Sequence, residues 1–213
     1  MTPISRTRIK ICGITRPDDG VTAARIGVDA IGLVFYPPSP RFVNPDAARQ
    51  IVAALPPFVT VVGLFMNAEP AAVRAILAQI PLHLLQFHGD EEPDGCAAFN
   101  LPYIKAVPMG ANADIRDYEQ RFATAAGLLL DSHGGDQPGG SGQGFDWGRI
   151  PAERNKPLIL AGGLHPGNVT AAIRQVQPYA VDVSSGVESA KGIKDAELMR
   201  AFLRGANEGD SDA

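Results

Sequence analysis

Cysteine is scarce: the chain of 213 residues has two, Cys12 and Cys96, and no CxxC pair. That excludes a disulfide framework and gives no support to a structural zinc site. No apolar run nears the roughly 18 residues of a membrane span. The longest, Val59 to Met66, has eight residues and contains a glycine. The opening MTPISRTRIK lacks the apolar stretch of a secretory signal, so a cytoplasmic protein is expected. Basic residues are in the minority, 19 Lys and Arg against 23 Asp and Glu, for a net charge of −4. A nucleic-acid binder would carry the opposite footprint. There is no GxGxxG or GxxxxGK[ST] stretch, and the four histidines show no metal-ligand spacing, which argues against nucleotide and metal cofactors. What is present, 45% hydrophobic and 20% charged residues, is the make-up of an ordinary globular chain with one full core.

Short β-rich runs alternate with helical patterns. Strands are predicted at Arg8–Cys12, Ala30–Phe35, Thr60–Met66, His83–Phe87, Tyr103–Val107, Gly127–Asp131, Leu158–Ala161 and Ala180–Ser184. Helices are predicted at Pro17–Ile26, Pro45–Leu55, Pro70–Gln79, Glu92–Phe99, Ala113–Phe122, Phe145–Ile150, His165–Val176 and Asp195–Arg204. Pro17, Pro45, Pro70 and Pro166 fall where a first helical turn begins and a missing N–H costs nothing. Asn44 is a good N-cap type, and Gly27 and Gly205 are placed to close helices.

Eight βα units in 213 residues imply a parallel sheet. The expected architecture is a single compact (β/α)8 TIM barrel spanning residues 1–213. A doubly wound open sheet is the competitor, because counting units does not show that the sheet closes. The glycine-rich stretch His133–Gly144 follows the sixth strand and reads as an active-site loop. Residues 206–213 read as a frayed acidic tail.

A barrel places its functional groups at the C-terminal strand ends. Here those positions hold Cys12, Arg41, Asn67, His88, Asp131, Gly162 with Gly163, and Ser184 through Ser185 to Gly186. Plainer readings stand beside them. A free cysteine is commonly an inert small hydrophobe, His88 can orient a loop, and Arg41 can be a surface residue beside a proline-stiffened turn. The glycine pair and the serine loop after consecutive strands carry the most weight, since barrels of this kind bind phosphate there through backbone N–H groups. Lys10 shares a strand face with Cys12 and lies one layer deeper. A buried lysine needs a carboxylate, and Asp182 is the candidate. His83 opens its strand at the opposite end and reads as structural.

Several blocks now fit a known pattern. Lys10-Ile-Cys-Gly-Ile-Thr15, Gly32-Leu-Val-Phe-Tyr-Pro-Pro-Ser-Pro-Arg-Phe-Val43, Gln86-Phe-His-Gly-Asp-Glu91, Leu130-Asp131, Ala161-Gly-Gly-Leu164 with Asn168, and Asp182-Val-Ser-Ser-Gly-Val-Glu188 with Gly192-Ile-Lys-Asp195 occur in order. Together they resemble the phosphoribosylanthranilate isomerase family over essentially the whole chain. Phe87 stands where that family usually has leucine, and Lys191 where proline is common. The resemblance implies a (β/α)8 barrel that carries out an Amadori rearrangement of N-(5′-phosphoribosyl)anthranilate in tryptophan biosynthesis, with no cofactor. It puts the general base on Cys12, the general acid on Asp131, and the contact to the anthranilate carboxylate on Arg41. His88 and Asp182 are further substrate-binding candidates, and Gly162, Gly163, Ser184, Ser185 and Gly186 the phosphate site. The implied partner is a small phosphosugar, with no nucleic acid or membrane, and the protein is a monomer or a homodimer. Rival readings are another phosphosugar barrel, such as indole-glycerol-phosphate synthase or the histidine-pathway sugar isomerase, and a non-catalytic phosphate-binding barrel. The histidine-pathway enzyme uses paired aspartates, so Cys12 speaks against it.

Overall fold

A computed structural model describes residues 6–111, 113–132 and 145–211. Eight parallel strands close into a barrel in chain order. They are β1 (Arg8–Cys12), β2 (Ala30–Val34), β3 (Thr60–Phe65), β4 (Leu84–Phe87), β5 (Tyr103–Pro108), β6 (Gly127–Asp131), β7 (Leu158–Leu160) and β8 (Ala180–Val183). Pairing of β1 with β8 completes the ring, with Lys10 opposite Asp182 and Ile11 opposite Val183. The open-sheet alternative is thereby excluded. Outside the ring run α1 (Pro17–Ile26), α2 (Pro45–Ala54), α3 (Pro70–Leu77), α4 (Pro93–Ala97), α5 (Ile115–Arg121), α6 (Val169–Val176) and α7 (Ala196–Asp210). Among the described residues no helix is long and apolar enough to cross a membrane.

Successive strand residues face opposite ways, and that period separates two apolar clusters. Ile9, Ile11, Ile31, Leu33, Leu85, Leu128 and Leu130 belong to the large cluster packed beneath the helices. Ile104, Ala106, Leu129, Ile159, Ala161 and Ala180 form a smaller one that fills the barrel. Phe35, Phe65, Phe87 and Phe99 form a row with neighbouring ring centroids 5.4, 6.3 and 5.9 Å apart. Phe87 therefore faces the helix layer, so this departure from the family pattern is a matter of packing.

Local signals account for many boundaries. Pro17, Pro45 and Pro70 each open a helix, and Pro93 opens α4. Asn44 caps α2 by accepting from the Ala47 N–H at 2.9 Å. Gly27 ends α1 in the left-handed region at φ 99°. His83 lies just before β4, where its Nδ1 accepts from the Val61 N–H at 2.9 Å.

Four expectations need correction. Pro166 opens no helix: His165 N–H donates to Asn168 Oδ1 at 2.8 Å, and the resulting turn delays α6 to Val169. The helix expected at Phe145–Ile150 is a single 3-10 turn, Trp147–Arg149. It is capped by Asp146 accepting from the Gly148 N–H at 2.9 Å and followed closely by Pro151, which disfavours continuation. Gly205 does not end the last helix, and residues 206–210 are not frayed. α7 runs to Asp210 because Gly205 and Gly209 let it press onto α6; a Cβ at either would stand 2.8 Å from Val169 Cγ1 or Ile173 Cβ. Asp210 then accepts from the Thr7 N–H and hydroxyl at 2.8 and 2.7 Å, tying the end of the helix to the start of β1. Finally, an unexpected hairpin, β9 (Glu188–Ala190) with β10 (Ile193–Lys194), follows β8. The stretch 133–144, expected as an active-site loop, lies outside the described residues.

Candidate active site

The same alternation that fills the barrel with apolar groups turns polar ones inward at its C-terminal end. On β1, Lys10 and Cys12 point into the interior, and Lys10 Nζ donates to Asp182 Oδ1 of β8 at 2.9 Å. The partner expected from sequence is the one observed. Both side chains are almost fully enclosed, and Cys12 is near enough to the ammonium to favour its charged form. Gly32 on the adjoining β2 leaves room for both atoms: a Cβ there would stand 2.8 Å from Cys12 Sγ and 3.2 Å from Lys10 Nζ. Burial works against the Lys10 charge, yet Asp182 and Cys12 outweigh it and hold the amine above its usual range, so it is a cation at neutral pH. Burial pushes Asp182 up, against the pull of Lys10. Cys12 is also pushed up by burial, with Lys10 and Lys194 pulling the other way. The neighbouring cations thus limit the rise of the thiol without reversing it.

Across the cavity, Asp131 ends β6 and His88 follows β4. His88 Nε2 lies 3.0 Å from Asp131 Oδ2, and its Nδ1 lies 2.9 Å from Gln86 Nε2. His88 thus bridges Gln86 and Asp131, with Nε2 turned to the carboxyl group. Gly162 is needed beside them, because a Cβ there would come within 2.5 Å of Ser132 N and 2.9 Å of Asp131 Oδ1.

Arg41 leaves the proline-rich loop after β2 and reaches over Gly13. It is not a surface residue: its side chain is 11% exposed and forms a two-point ion pair with Glu188 at 2.7 and 2.8 Å. Lys194 Nζ donates to the same carboxylate at 2.8 Å and to the Ser184 carbonyl at 3.1 Å. Burial by itself would push Glu188 up, but hydrogen bonds from Arg41 and Lys194 together with their charges hold it below its ordinary value.

The loops after β7 and β8 meet at one side of this pocket. Asn168 Nδ2 donates to the Gly163 carbonyl at 2.9 Å and so fixes the glycine turn. Among the described residues, the N–H groups of Gly162, Gly163, Ser185 and Gly186 have no protein acceptor. Such converging open donors suit an anion. Gly186 itself does not line the cavity; a Cβ there would stand 2.0 Å from the Leu164 carbonyl, so glycine lets the two loops abut.

The cavity, about 270 Å³, is lined by Cys12, Arg41, His88, Asp131, Gly162, Gly163, Asp182, Ser184 and Ser185, and on the β2–β3 side by Val34, Leu64 and Met66. The structure thus gathers nearly all the residues read from the strand ends. Besides Gly186, Asn67 stays outside: its N–H donates to Glu91 at 2.8 Å and its Oδ1 accepts from the Asp90 N–H at 2.7 Å, which makes it a loop staple. Sequence reasoning missed Glu188, Lys194 and Gln86. The first two stood inside recognised blocks without a role, and inward alternation from His88 would have placed Gln86. Cys96 lies buried elsewhere, with its thiol pushed up to about 12 by burial. Among the described residues no group of His, Cys, Asp and Glu could hold a metal ion.

A closed parallel barrel with titratable groups, a cation and open N–H donors at its strand ends has the architecture of a (β/α)8 enzyme with a pocket suited to an anionic ligand. Comparison with known proteins narrows this. The family model described as N-(5′-phosphoribosyl)anthranilate (PRA) isomerase matches residues 9–205. A relative from Nitrosococcus oceani, named N-(5′-phosphoribosyl)anthranilate isomerase, is 54% identical over 202 residues, 95% of this chain and 98% of its own. The crystal structure of phosphoribosyl anthranilate isomerase from Thermotoga maritima superposes with a TM-score of 0.86 at 40% identity, covering 94% of this chain and 98% of that one. Another solved isomerase, in complex with reduced 1-(o-carboxyphenylamino)-1-deoxyribulose 5-phosphate, matches at 38% identity and a TM-score of 0.78, with the same two coverages. The chain belongs to the phosphoribosylanthranilate isomerase family.

Proposed function

We infer that the chain is an isomerase that converts N-(5′-phosphoribosyl)anthranilate into 1-(2-carboxyphenylamino)-1-deoxyribulose 5-phosphate, an Amadori rearrangement in tryptophan biosynthesis. The observation that carries this reading is one cavity that holds Cys12 and Asp131 on separate strands, with Arg41 and the two N–H-rich loops around them. A cytoplasmic enzyme acting on a small phosphosugar goes with it, as monomer or homodimer.

The chemistry is assigned to this chain's residues as follows. The phosphate binds the N–H groups after β7 and β8, and the aromatic ring lies against Val34, Leu64 and Met66 with its carboxylate on Arg41. Asp131, protonated, gives its proton to the furanose oxygen; the C1′–O bond breaks and the anthranilate nitrogen becomes an iminium. His88 Nε2 then faces the carboxylate left on Asp131. The thiolate of Cys12 removes the C2′ proton, and the C–H electron pair becomes the C1′–C2′ double bond of an enolamine. Tautomerisation moves a proton to C1′ and leaves the ketone at C2′, so no net proton is gained or lost. An unperturbed thiol is only a few per cent ionised at pH 7, a deficit of about 2 kcal/mol, and burial of Cys12 adds to it. The iminium offsets this by acidifying the C2′ proton. Lys10 supplies the cation that steadies the thiolate.

The test is turnover of freshly generated phosphoribosylanthranilate by the purified protein, followed as loss of its fluorescence, with Cys12→Ala alongside. Fast loss that disappears in the variant supports both activity and base. Fast loss that survives in the variant keeps the activity and removes Cys12 from it. No loss with folded wild-type protein would redirect the assignment to another phosphosugar substrate.

A further inference from the structure

Arginine has five N–H donors. Arg41 gives two of them, on Nε and Nη2, to Glu188. The other three have no protein acceptor among the described residues, and the side chain lines the cavity. Glu188 and Lys194 do not line it. Their side chains are 5% and 0% exposed, so they are sealed behind Arg41. The hairpin that carries them is anchored separately: the Lys194 N–H donates to Asp19 at 3.1 Å, and the Thr15 hydroxyl donates to the Gly192 carbonyl.

A carboxylate behind an anion-binding arginine is electrostatically adverse. Glu188 puts a negative charge directly behind Arg41, while burial and Arg41 lower Lys194 and the Glu188 carboxylate favours its charged form. If attraction for an anion were all that mattered, Glu188 would be a liability. Its two-point pairing instead fixes the plane of the guanidinium, and the Lys194 ammonium fixes Glu188 in turn.

We propose that Glu188 is a positioning residue that sets the plane of Arg41, with Lys194 as its clamp. The ring carboxylate of the substrate is then recognised by the direction of the free guanidinium edge and not by local charge. This rests on the reading of Arg41 as the carboxylate contact, and it makes the hairpin after β8 part of the specificity apparatus.

The experiment is isothermal titration of the whole protein with two ligands. One is the reduced product, 1-(2-carboxyphenylamino)-1-deoxyribitol 5-phosphate; the other is the same molecule without the ring carboxylate. Glu188→Gln, nearly isosteric, is expected to weaken the first about tenfold, the scale of one well-aligned charged hydrogen bond, and to leave the second within twofold. In an Arg41→Ala background, which itself abolishes the preference, Glu188→Gln is expected to add nothing. Tighter or unchanged binding of the carboxylate ligand to Glu188→Gln would overturn the proposal in favour of simple charge. Equal weakening of both ligands would overturn it in favour of a general loop scaffold. A preference that persists in Arg41→Ala would refute the underlying reading of Arg41 instead, and the proposal with it. Should the single variant fail to fold, Glu188→Gln with Lys194→Met removes both buried charges; the same selective loss is expected there, and a retained preference overturns the proposal.

Discussion

Lys10→Met tests the energetic logic of the barrel end. Methionine keeps the length and the apolar stem of lysine but leaves Asp182 without its partner. The two side chains are 6% and 8% exposed, so solvent offers the stranded carboxylate little relief. Removing one member of a buried pair costs about 3–5 kcal/mol. For 213 residues, an unfolding entropy of about 2.1 cal/mol/K per residue turns that into a fall in Tm of roughly 7–11 °C. The pH dependence gives the signature. In the parent protein Lys10 is raised, so its contribution is complete below the ordinary lysine range and is lost only as pH rises through its higher folded value. In the variant, Asp182 keeps the upward push of burial and loses the pull of Lys10. A carboxyl raised in the folded state is penalised above its unfolded value, increasingly until its folded value is passed. The deficit is therefore largest near neutrality and shrinks as pH falls toward the carboxylate range. Urea unfolding of parent and variant between pH 5 and 8 measures it. Adding Asp182→Leu should restore stability to within about 1 kcal/mol, since a buried pair replaced as a whole is often neutral. A deficit below about 1 kcal/mol, or one that does not change with pH, would refute the argument.

Other outcomes are expected from the same geometry. Cys12→Ala and Asp131→Ala should each lower kcat by about 10² to 10⁴ with little change in KM; an effect on KM alone would make them binding residues. Because burial holds the Cys12 thiol above its ordinary value, kcat/KM of the parent should climb on the alkaline side of neutrality, and a flat profile would speak against a thiolate base. Arg41→Ala should weaken substrate binding by about 1.5–3 kcal/mol while kcat stays near that of the parent; steady-state kinetics separates the two. Asp210→Ala takes away both Thr7 hydrogen bonds and should cost about 1–2 kcal/mol in urea unfolding, whereas a neutral result would mean that the end of α7 is not docked.

The architecture was legible because each unit carries local instructions that agree. Proline at helix starts, Asn44 as a cap and the short apolar strands all act within a few residues, and the strand count then favours a barrel, whose closure only the β1–β8 pairing decides. The site was legible for a related reason. In a barrel the strand ends converge, so Cys12, His88, Asp131 and the loops after β7 and β8 could be gathered without knowing any distance. Alternation along β1 even gave Lys10 its layer, and the need of a buried cation for a counter-charge named Asp182.

Tertiary structure decided what depends on partners far apart in the chain. Gly205 has the local marks of a helix stop, yet α6, some 35 residues earlier, requires a small residue there and the helix continues. Arg41 looks equally like a surface residue or a ligand contact until Glu188, 147 residues away, is found paired with it. Glu188 and Lys194 carry no local signal at all, because their task is defined by the side chain they hold. The Cys12 thiol, likewise, is set by how deeply the barrel buries it and how close the two lysines come. Local backbone preference and periodicity are properties of neighbouring residues and can be read in order; burial, ion pairing and close approach are properties of the assembled barrel, and exist only once it has closed.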